Sequence, residues 1–315
     1  MNDSRPVLVC VDRSSAMPAA VRYAAVAALR LDRSLELLHV APDHLSMAAL
    51  APLSAAPAAE GFAAVAEATL SAAEAVARDL LPAGRVTRVL VTGDRGYRIT
   101  DASKDAVLVV LGDDREPTLD RMAFGSLIAE VAASSEVPVV TVPEGWSEPV
   151  SETLPPGGRA TRRIVVGIKD DQRVPEELML RAFELAHRQH AVLELVHVWD
   201  MAPVYGQVVA SLMDMPAWSA LVEDHLDAAA TVARAAYPGV VVATTVTYGR
   251  PANVLRDISR RADLLLLARP RHDVLHHLGS TGRSVLRSVL CPVEVLPVLE
   301  RAEPGQRGER LAASV

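Results

Sequence analysis

Asp12 closes the apolar run Val7 to Val11, where a carboxylate either holds a ligand or caps the helix that follows. Gly125-Ser126 and Gly279-Ser280 each open a helical stretch, and a serine there has two uses. It can join the backbone amides of the helix start in binding a phosphate, or it can serve as an N-cap. His39 and His197 each precede a valine at the end of an apolar run, a placement that packing and a backbone hydrogen bond explain better than catalysis. His272 and His276 have the spacing of a helical metal pair, with Asp273 between, but no third or fourth ligand accompanies them, so no metal site is expected. No Ser-His-Asp order, nucleophile elbow or Walker loop occurs. The chain is therefore expected not to be an enzyme.

The elements that position these residues follow a plan used twice. From Ala106 to Val142 the chain reads strand (Val107 to Leu111), polar loop, Gly125-Ser126 opening a helix, and Val137-Pro138 entering a closing strand. From Ala262 to Val298 the same order returns: strand Leu264 to Ala268, polar loop, Gly279-Ser280, helix Thr281 to Leu290, and Pro292 before Val293 to Val298. An ordered recurrence of this length is an internal repeat. Upstream, the first half predicts strands at Val7–Val11, Leu35–Val40 and Val86–Val91, with helices at Pro18–Leu31, Gly61–Leu81 and Tyr97–Lys104. The second half predicts strands at Ile164–Ile168, Val192–Trp199 and Val240–Val246, with helices at Glu176–Gln189, Ala217–Ala236 and Ala252–Arg261. Strands alternating with helices imply an α/β fold of parallel, doubly wound sheets. The divisions read as domain 1 over 1–147, a Pro- and Gly-bearing linker over 148–162, domain 2 over 163–300 and a disordered tail over 301–315.

Bulk composition limits the partners. The 315 residues are 50% hydrophobic but only 3% aromatic, so Ala, Val and Leu must build the cores. A formal net charge of −7 argues against nucleic acid and against an anionic membrane surface, both of which rest on clustered positive charge. No run approaches the roughly 18–20 apolar residues of a membrane span, and the amino-terminal segment lacks the pattern of a signal peptide. Cys10 and Cys291 lie in or beside apolar runs and are expected to be free buried thiols, which together with the rest places the chain in the cytoplasm.

The residues Val9-Cys10-Val11-Asp12-Arg13-Ser14, Leu38-His39-Val40 and Gly125-Ser126 resemble the universal stress protein family. So do Leu195-Val196-His197-Val198-Trp199, Gly249-Arg250-Pro251-Ala252 and Gly279-Ser280 through Cys291-Pro292-Val293. The likeness covers nearly the whole chain as a tandem pair. It implies two five-stranded parallel-sheet domains of the adenine-nucleotide alpha-hydrolase-like fold, and for some members ATP between the ends of the first and fourth strands, where open α/β sheets place ligands. By resemblance Asp12 contacts the adenosine and Val40 lies against the adenine. The family's phosphate signature is Gly, two residues, Gly, nine residues, then Gly-Ser or Gly-Thr. Here Gly112 and Gly125-Ser126 fit it, while Arg115 replaces the second glycine. Arginine lacks glycine's backbone freedom, though its guanidinium can hold phosphate. With Asp113, Asp114, Glu116 and Asp120 in the same loop, a triphosphate would need a cation such as Mg²⁺ between.

The second half departs further. Lys169 stands where Asp12 does, Ala268 and Arg271 replace the two glycines, and no nucleotide is expected there. A basic set remains (Lys169, Arg269, Arg271, His272, His276, His277 and Arg283), read as a solvated loop ahead of a small-anion site. Two functions stay open. One is a stress-response regulatory or protective module with a degenerate adenine-nucleotide site at Asp12, Val40, Gly112, Arg115, Gly125 and Ser126, hydrolysing ATP at most slowly and incidentally. The other is a nucleotide-independent scaffold for a protein partner. The apolar closing strands Val139 to Val142 and Val293 to Leu296 would be exposed sheet edges, and such edges invite pairing. In the resembled family they mediate dimerisation. Here the two repeats are expected to pair through them as an intramolecular pseudo-dimer, with a further homodimer open.

Overall fold

The computed structural model describes residues 4–42, 55–114, 127–148, 162–200, 215–270 and 278–298. The strands of the first repeat are β1 (Val7–Cys10), β2 (Leu35–Ala41), β3 (Val86–Thr92), β4 (Leu108–Asp113) and β5 (Val139–Pro143). Its helices are α1 (Met17–Leu31), α2 (Ala55–Arg78), α3 (Arg95–Ser103) and α4 (Leu127–Ser134). The second repeat has β6 (Arg163–Ile168), β7 (Val192–Trp199), β8 (Val242–Tyr248), β9 (Leu264–Pro270) and β10 (Val293–Val298). Its helices are α5 (Glu176–Gln189), α6 (Met215–Ala236), α7 (Pro251–Ser259) and α8 (Ser280–Ser288).

Local chemistry sets the ends of several helices. Pro18 sits in the first turn of α1, where its missing N–H costs nothing. α1 ends at Asp32 and α5 at His190, both left-handed at φ 52°, so that backbone N–H groups reach back to the last turn. α3 starts at Arg95, two residues before the predicted Tyr97, because the Asp94 side chain accepts the Tyr97 N–H at 2.8 Å. α2 starts at Ala55 ahead of the predicted Gly61, since Pro57 falls in its first turn, where proline is tolerated. β9 runs on to Pro270, two residues past its predicted end, in register with Val298 of β10.

All ten strands form one sheet in the order β3-β2-β1-β4-β5-β10-β9-β6-β7-β8. Within each repeat the strands are parallel, and β1 and β6 are each flanked by the strand that follows and by the fourth strand of the repeat. Each repeat thus reverses direction at its first strand. The repeats meet through β5 and β10, which pair antiparallel with Val293 opposite Thr141, Glu294 opposite Val140 and Val295 opposite Val139. The closing strands are consequently internal, and the outer edges are β3 and β8.

One side of the sheet carries a single core shared by both repeats, in which Val139, Val293 and Val295 join Ile128 and Val131 of α4 to Val285 and Leu286 of α8. The other side carries two separate cores, one under α1 and α2 and one under α5 and α6. Glu294 emerges between them. It is 1% exposed and accepts from Arg181 of α5, Nε to Oε1 at 2.7 Å and Nη2 to Oε2 at 3.3 Å. Tyr23 of α1 lies in the same charged surroundings, its phenol pushed up first by burial and then by Glu294. Nearby, Arg30 and Arg162 both donate to Glu148 Oε1 at 2.5 Å.

The repeats differ most where they share a residue. Glu36 of β2 and Glu194 of β7 occupy matching positions. Burial and then the Asp105 carboxylate push Glu36 up. Burial would also raise Glu194, but hydrogen bonds from Arg163 at 2.7 Å, Thr245 at 3.1 Å and Arg261 at 2.7 Å outweigh it and hold its carboxyl below the usual range.

Two outcomes follow for stability. Arg181→Ala leaves the Glu294 carboxylate buried without its partner and should cost about 3–5 kcal/mol in a denaturant titration, whereas Arg181→Met with Glu294→Val should cost little. A carboxyl depressed on folding contributes stability that is complete above the unfolded carboxylate range and lost as pH falls through its folded pKa. Glu194→Gln should therefore flatten the decline in melting temperature below about pH 4.5.

Candidate functional site

The first repeat opens at the carboxyl ends of β1 and β4, the switch point of its topology. Asp12 follows β1 directly and is exposed, and its Oδ1 accepts from Ser14 N at 3.0 Å. That contact is an Asx turn, which carries the chain away from the strand. Asp12 is not the cap of α1: the cap position is Ala16, with no side-chain hydrogen bond. Among the described residues nothing else bonds the Asp12 carboxylate.

Val40, 6% exposed, forms part of the floor with Leu38 and Ile128, and Gly112 closes the β4 side. A Cβ on Gly112 would stand 3.1 Å from Ala16 Cβ and 3.3 Å from the Ala16 backbone. A side chain at 112 would therefore crowd the start of α1, and glycine there relieves that close approach. Arg95, the first residue of α3, stands exposed at the rim, and its guanidinium has no partner among the described residues. Sequence reasoning missed it because its signal lies in the Gly93-Asp94 turn before it: Gly93 has φ +133° and Asp94 caps the helix. Cys10 lines the cleft as well, and burial followed by the Asp12 charge pushes its thiol well up, so it is no nucleophile at neutral pH. The described cleft is narrow, about 50 Å³. Asp12, Val40 and Gly112 are thus brought together. Arg115, Gly125 and Ser126 lie outside the described residues, as do Glu116 and Asp120.

His39 Nδ1 lies 2.8 Å from Val11 O, and His197 Nδ1 lies 3.2 Å from Ile168 O. A carbonyl only accepts, so Nδ1 carries the proton in both rings. Each buried imidazole ties its second strand to its first, the structural role expected of it.

The second repeat keeps the frame but changes the contents. Gly249 matches Gly93, with φ +152°. Gly167 occupies the position of Cys10, and a Cβ there would lie 2.7 Å from Leu267 Cδ2 and 3.2 Å from Leu255 Cδ1, so leucine side chains take the volume that the cysteine has in the first repeat. Lys169 is exposed at the Asp12 position. Two expectations are corrected. Arg269 does not belong to a solvated basic loop: it is 3% exposed, and its Nη2 donates to Ser135 O in the first repeat at 2.5 Å. Ser280 is not an N-cap, since Gly279 holds that position and no side chain caps α8. Arg271, His272, His276 and His277 lie outside the described residues. Among those described, no cluster of three or more His, Cys, Asp or Glu could hold a metal, and no helix is long and apolar enough to cross a membrane. Neither cysteine forms a disulfide, and of the two thiols expected to be buried Cys291 is, while Cys10 is half-buried at the cleft.

Gly112→Val should destabilise the chain by about 1–3 kcal/mol in a denaturant melt without added nucleotide, because it overpacks against Ala16.

Comparison with known proteins agrees with this frame. The profile of the universal stress protein family matches residues 4–143 and again 160–297. A universal stress protein of Mycolicibacterium smegmatis is 27% identical over 312 residues, covering 92% of this chain and 96% of its own length. One from Mycobacterium tuberculosis is 28% identical over 228 residues, covering 68% of this chain and 66% of its own length. Among solved structures, a universal stress protein from Archaeoglobus fulgidus superposes with a TM-score of 0.65 at 16% identity, covering 94% of this chain and 97% of its own. With the family profile found twice along a doubled frame, this chain belongs to the universal stress protein family as a tandem pair.

Proposed function

We propose that this chain acts in the cytoplasm as a regulatory or protective module of the stress response, with its first domain taking an adenine nucleotide and its second serving mainly as structure. The observation that carries this reading is the pair of opposite charges lining the first cleft, Asp12 with one turn contact and Arg95 with no partner among the described residues. Asp12 and Arg95 stand at the rim of an apolar floor made by Leu38, Val40 and Ile128. A carboxylate suits ribose hydroxyls, an apolar floor suits a base, and a guanidinium suits phosphate. In the second domain Lys169 replaces the carboxylate, and leucines fill the space beside Gly167. The site is degenerate in that Arg115 replaces a signature glycine, and Mg²⁺ would be needed to bring a triphosphate near Asp113 and Asp114. Among the described residues of the cleft the Cys10 thiol is held protonated and offers no activated nucleophile, which fits a module that works by binding.

A second reading, a scaffold for a protein partner without nucleotide, is favoured by the narrowness of the cleft, about 50 Å³ against the roughly 300–1,000 Å³ usual for small-molecule sites. Calorimetry with AMP, ADP and ATP, with and without Mg²⁺, separates the two. Micromolar binding, weakened about tenfold or more by Asp12→Ala and by Gly125→Ala with Ser126→Ala, is the expected result. Absence of heat at about 1 mM nucleotide overturns the nucleotide reading and leaves the scaffold.

A further inference from the structure

Joining the repeats creates a second cleft, away from either switch point. β10 runs antiparallel to β5, so the chain leaving β5 passes the amino ends of β9 and β10. There Trp146 and Ser147 of the first repeat face Arg260, Asp263, Leu290 and Cys291 of the second across a cavity of about 380 Å³. That volume lies within the range of small-molecule sites. Neither repeat has it alone.

Its walls have a definite chemistry. Trp146 is held in place by an edge-on contact with Tyr23, ring centroids 5.0 Å apart at 62°. Tyr23 is itself half-buried beside Glu294 and Arg181, so the indole rests on an anchored neighbour before any ligand arrives. A fixed aromatic surface gains stacking energy at little entropic cost. Leu290, 44% exposed, extends the apolar side. Arg260 is exposed, and its guanidinium has neither an ion pair nor a hydrogen bond among the described residues. Two other polar groups of the cleft are engaged: Asp263 Oδ2 accepts from Arg163 N at 2.7 Å, and Ser259, which also lines it, donates from Oγ to Arg256 O and accepts from Leu290 N. The Asp263 carboxylate in the same cleft disfavours a multiply charged anion such as a nucleotide di- or triphosphate, which separates this site from the first-domain cleft.

The geometry points to a seam site for a small aromatic monoanion, an arene carboxylate or sulfonate, with the ring against Trp146 and Leu290 and the charge on Arg260. It is independent of nucleotide binding in the first domain.

The test uses the full chain and 4-(trifluoromethyl)benzoate, followed by fluorine NMR. The expected result is saturable binding with a Kd of about 1 mM or tighter. Arg260→Ser, an exposed change that removes no contact of the fold, should raise the Kd about tenfold or more, and Arg78→Ser, an exposed arginine at the far end of α2, should leave it unchanged. Trp146→Phe keeps an aromatic face and the packing on Tyr23, and should weaken binding less than Arg260→Ser does. Absence of saturable binding overturns the proposal, and so does binding that Arg260→Ser leaves untouched.

Discussion

Everything in this molecule depends on the antiparallel contact between β5 and β10. A parallel five-stranded sheet ending in an apolar strand such as Val139–Pro143 presents a row of open N–H and C=O groups beside apolar side chains, a standing invitation to aggregation. The covalent repeat closes that edge with its own counterpart. Three residue pairs, Val139, Val140 and Thr141 with Val295, Glu294 and Val293, convert two sheets into one. On one side the cores merge across the junction, so α4 and α8 bury their apolar faces against strands from both repeats. The two remaining edges, β3 and β8, lie at the extremes of the sheet.

The same contact explains where charge is buried. Residues 140 and 294 face each other at the centre of the junction. In the first repeat that position is valine and in the second it is glutamate. A carboxylate 1% exposed is tolerable only with a cation delivered to it, and Arg181 arrives from α5 with a two-point contact. A symmetric homodimer of either repeat would place two valines or two glutamates there. The asymmetric pair is a device that a tandem chain can use and a simple dimer cannot, and it favours the intramolecular partner. The Glu36 and Glu194 pair shows the same freedom in smaller measure: burial and then Asp105 raise the first, whereas hydrogen bonds from Arg163, Thr245 and Arg261 outweigh burial and lower the second.

Divergence between repeats has a functional side. The first keeps Asp12 with a single turn contact and adds Arg95 at the cleft, whereas the second has an exposed Lys169 in place of Asp12 and fills the space beside Gly167 with leucine. Arg269 is the clearest instance. It matches Asp113 in the first repeat, and it reaches across the junction to the Ser135 carbonyl instead of facing a ligand.

The repeat, the parallel α/β character of each half and the approximate limits of most elements were legible in the sequence, because an apolar run bounded by turn residues has few ways to be buried and the pattern occurred twice. α5, β7 and β10 begin and end where periodicity placed them. The structural role of His39 and His197 was legible as well, since each ends a run buried on both faces where a polar ring must find a backbone partner. Side-chain direction was not legible. Sequence marks Asp12, Arg269 and Ser280 as polar residues beside strand ends or helix starts, but whether a polar group meets solvent, a backbone carbonyl or a turn depends on what the rest of the fold brings to it. Gly112 reads from sequence as a phosphate glycine, and only the fold adds that Ala16 lies 3.1 Å from the position its Cβ would take. Arg260 carries no local signal, and that of Arg95 lies only in the Gly93-Asp94 turn before it. Among the described residues neither guanidinium has a hydrogen bond or ion pair, which only the folded arrangement decides, and the cleft holding Arg260 exists only because an antiparallel junction laid the end of one repeat across the strand starts of the other.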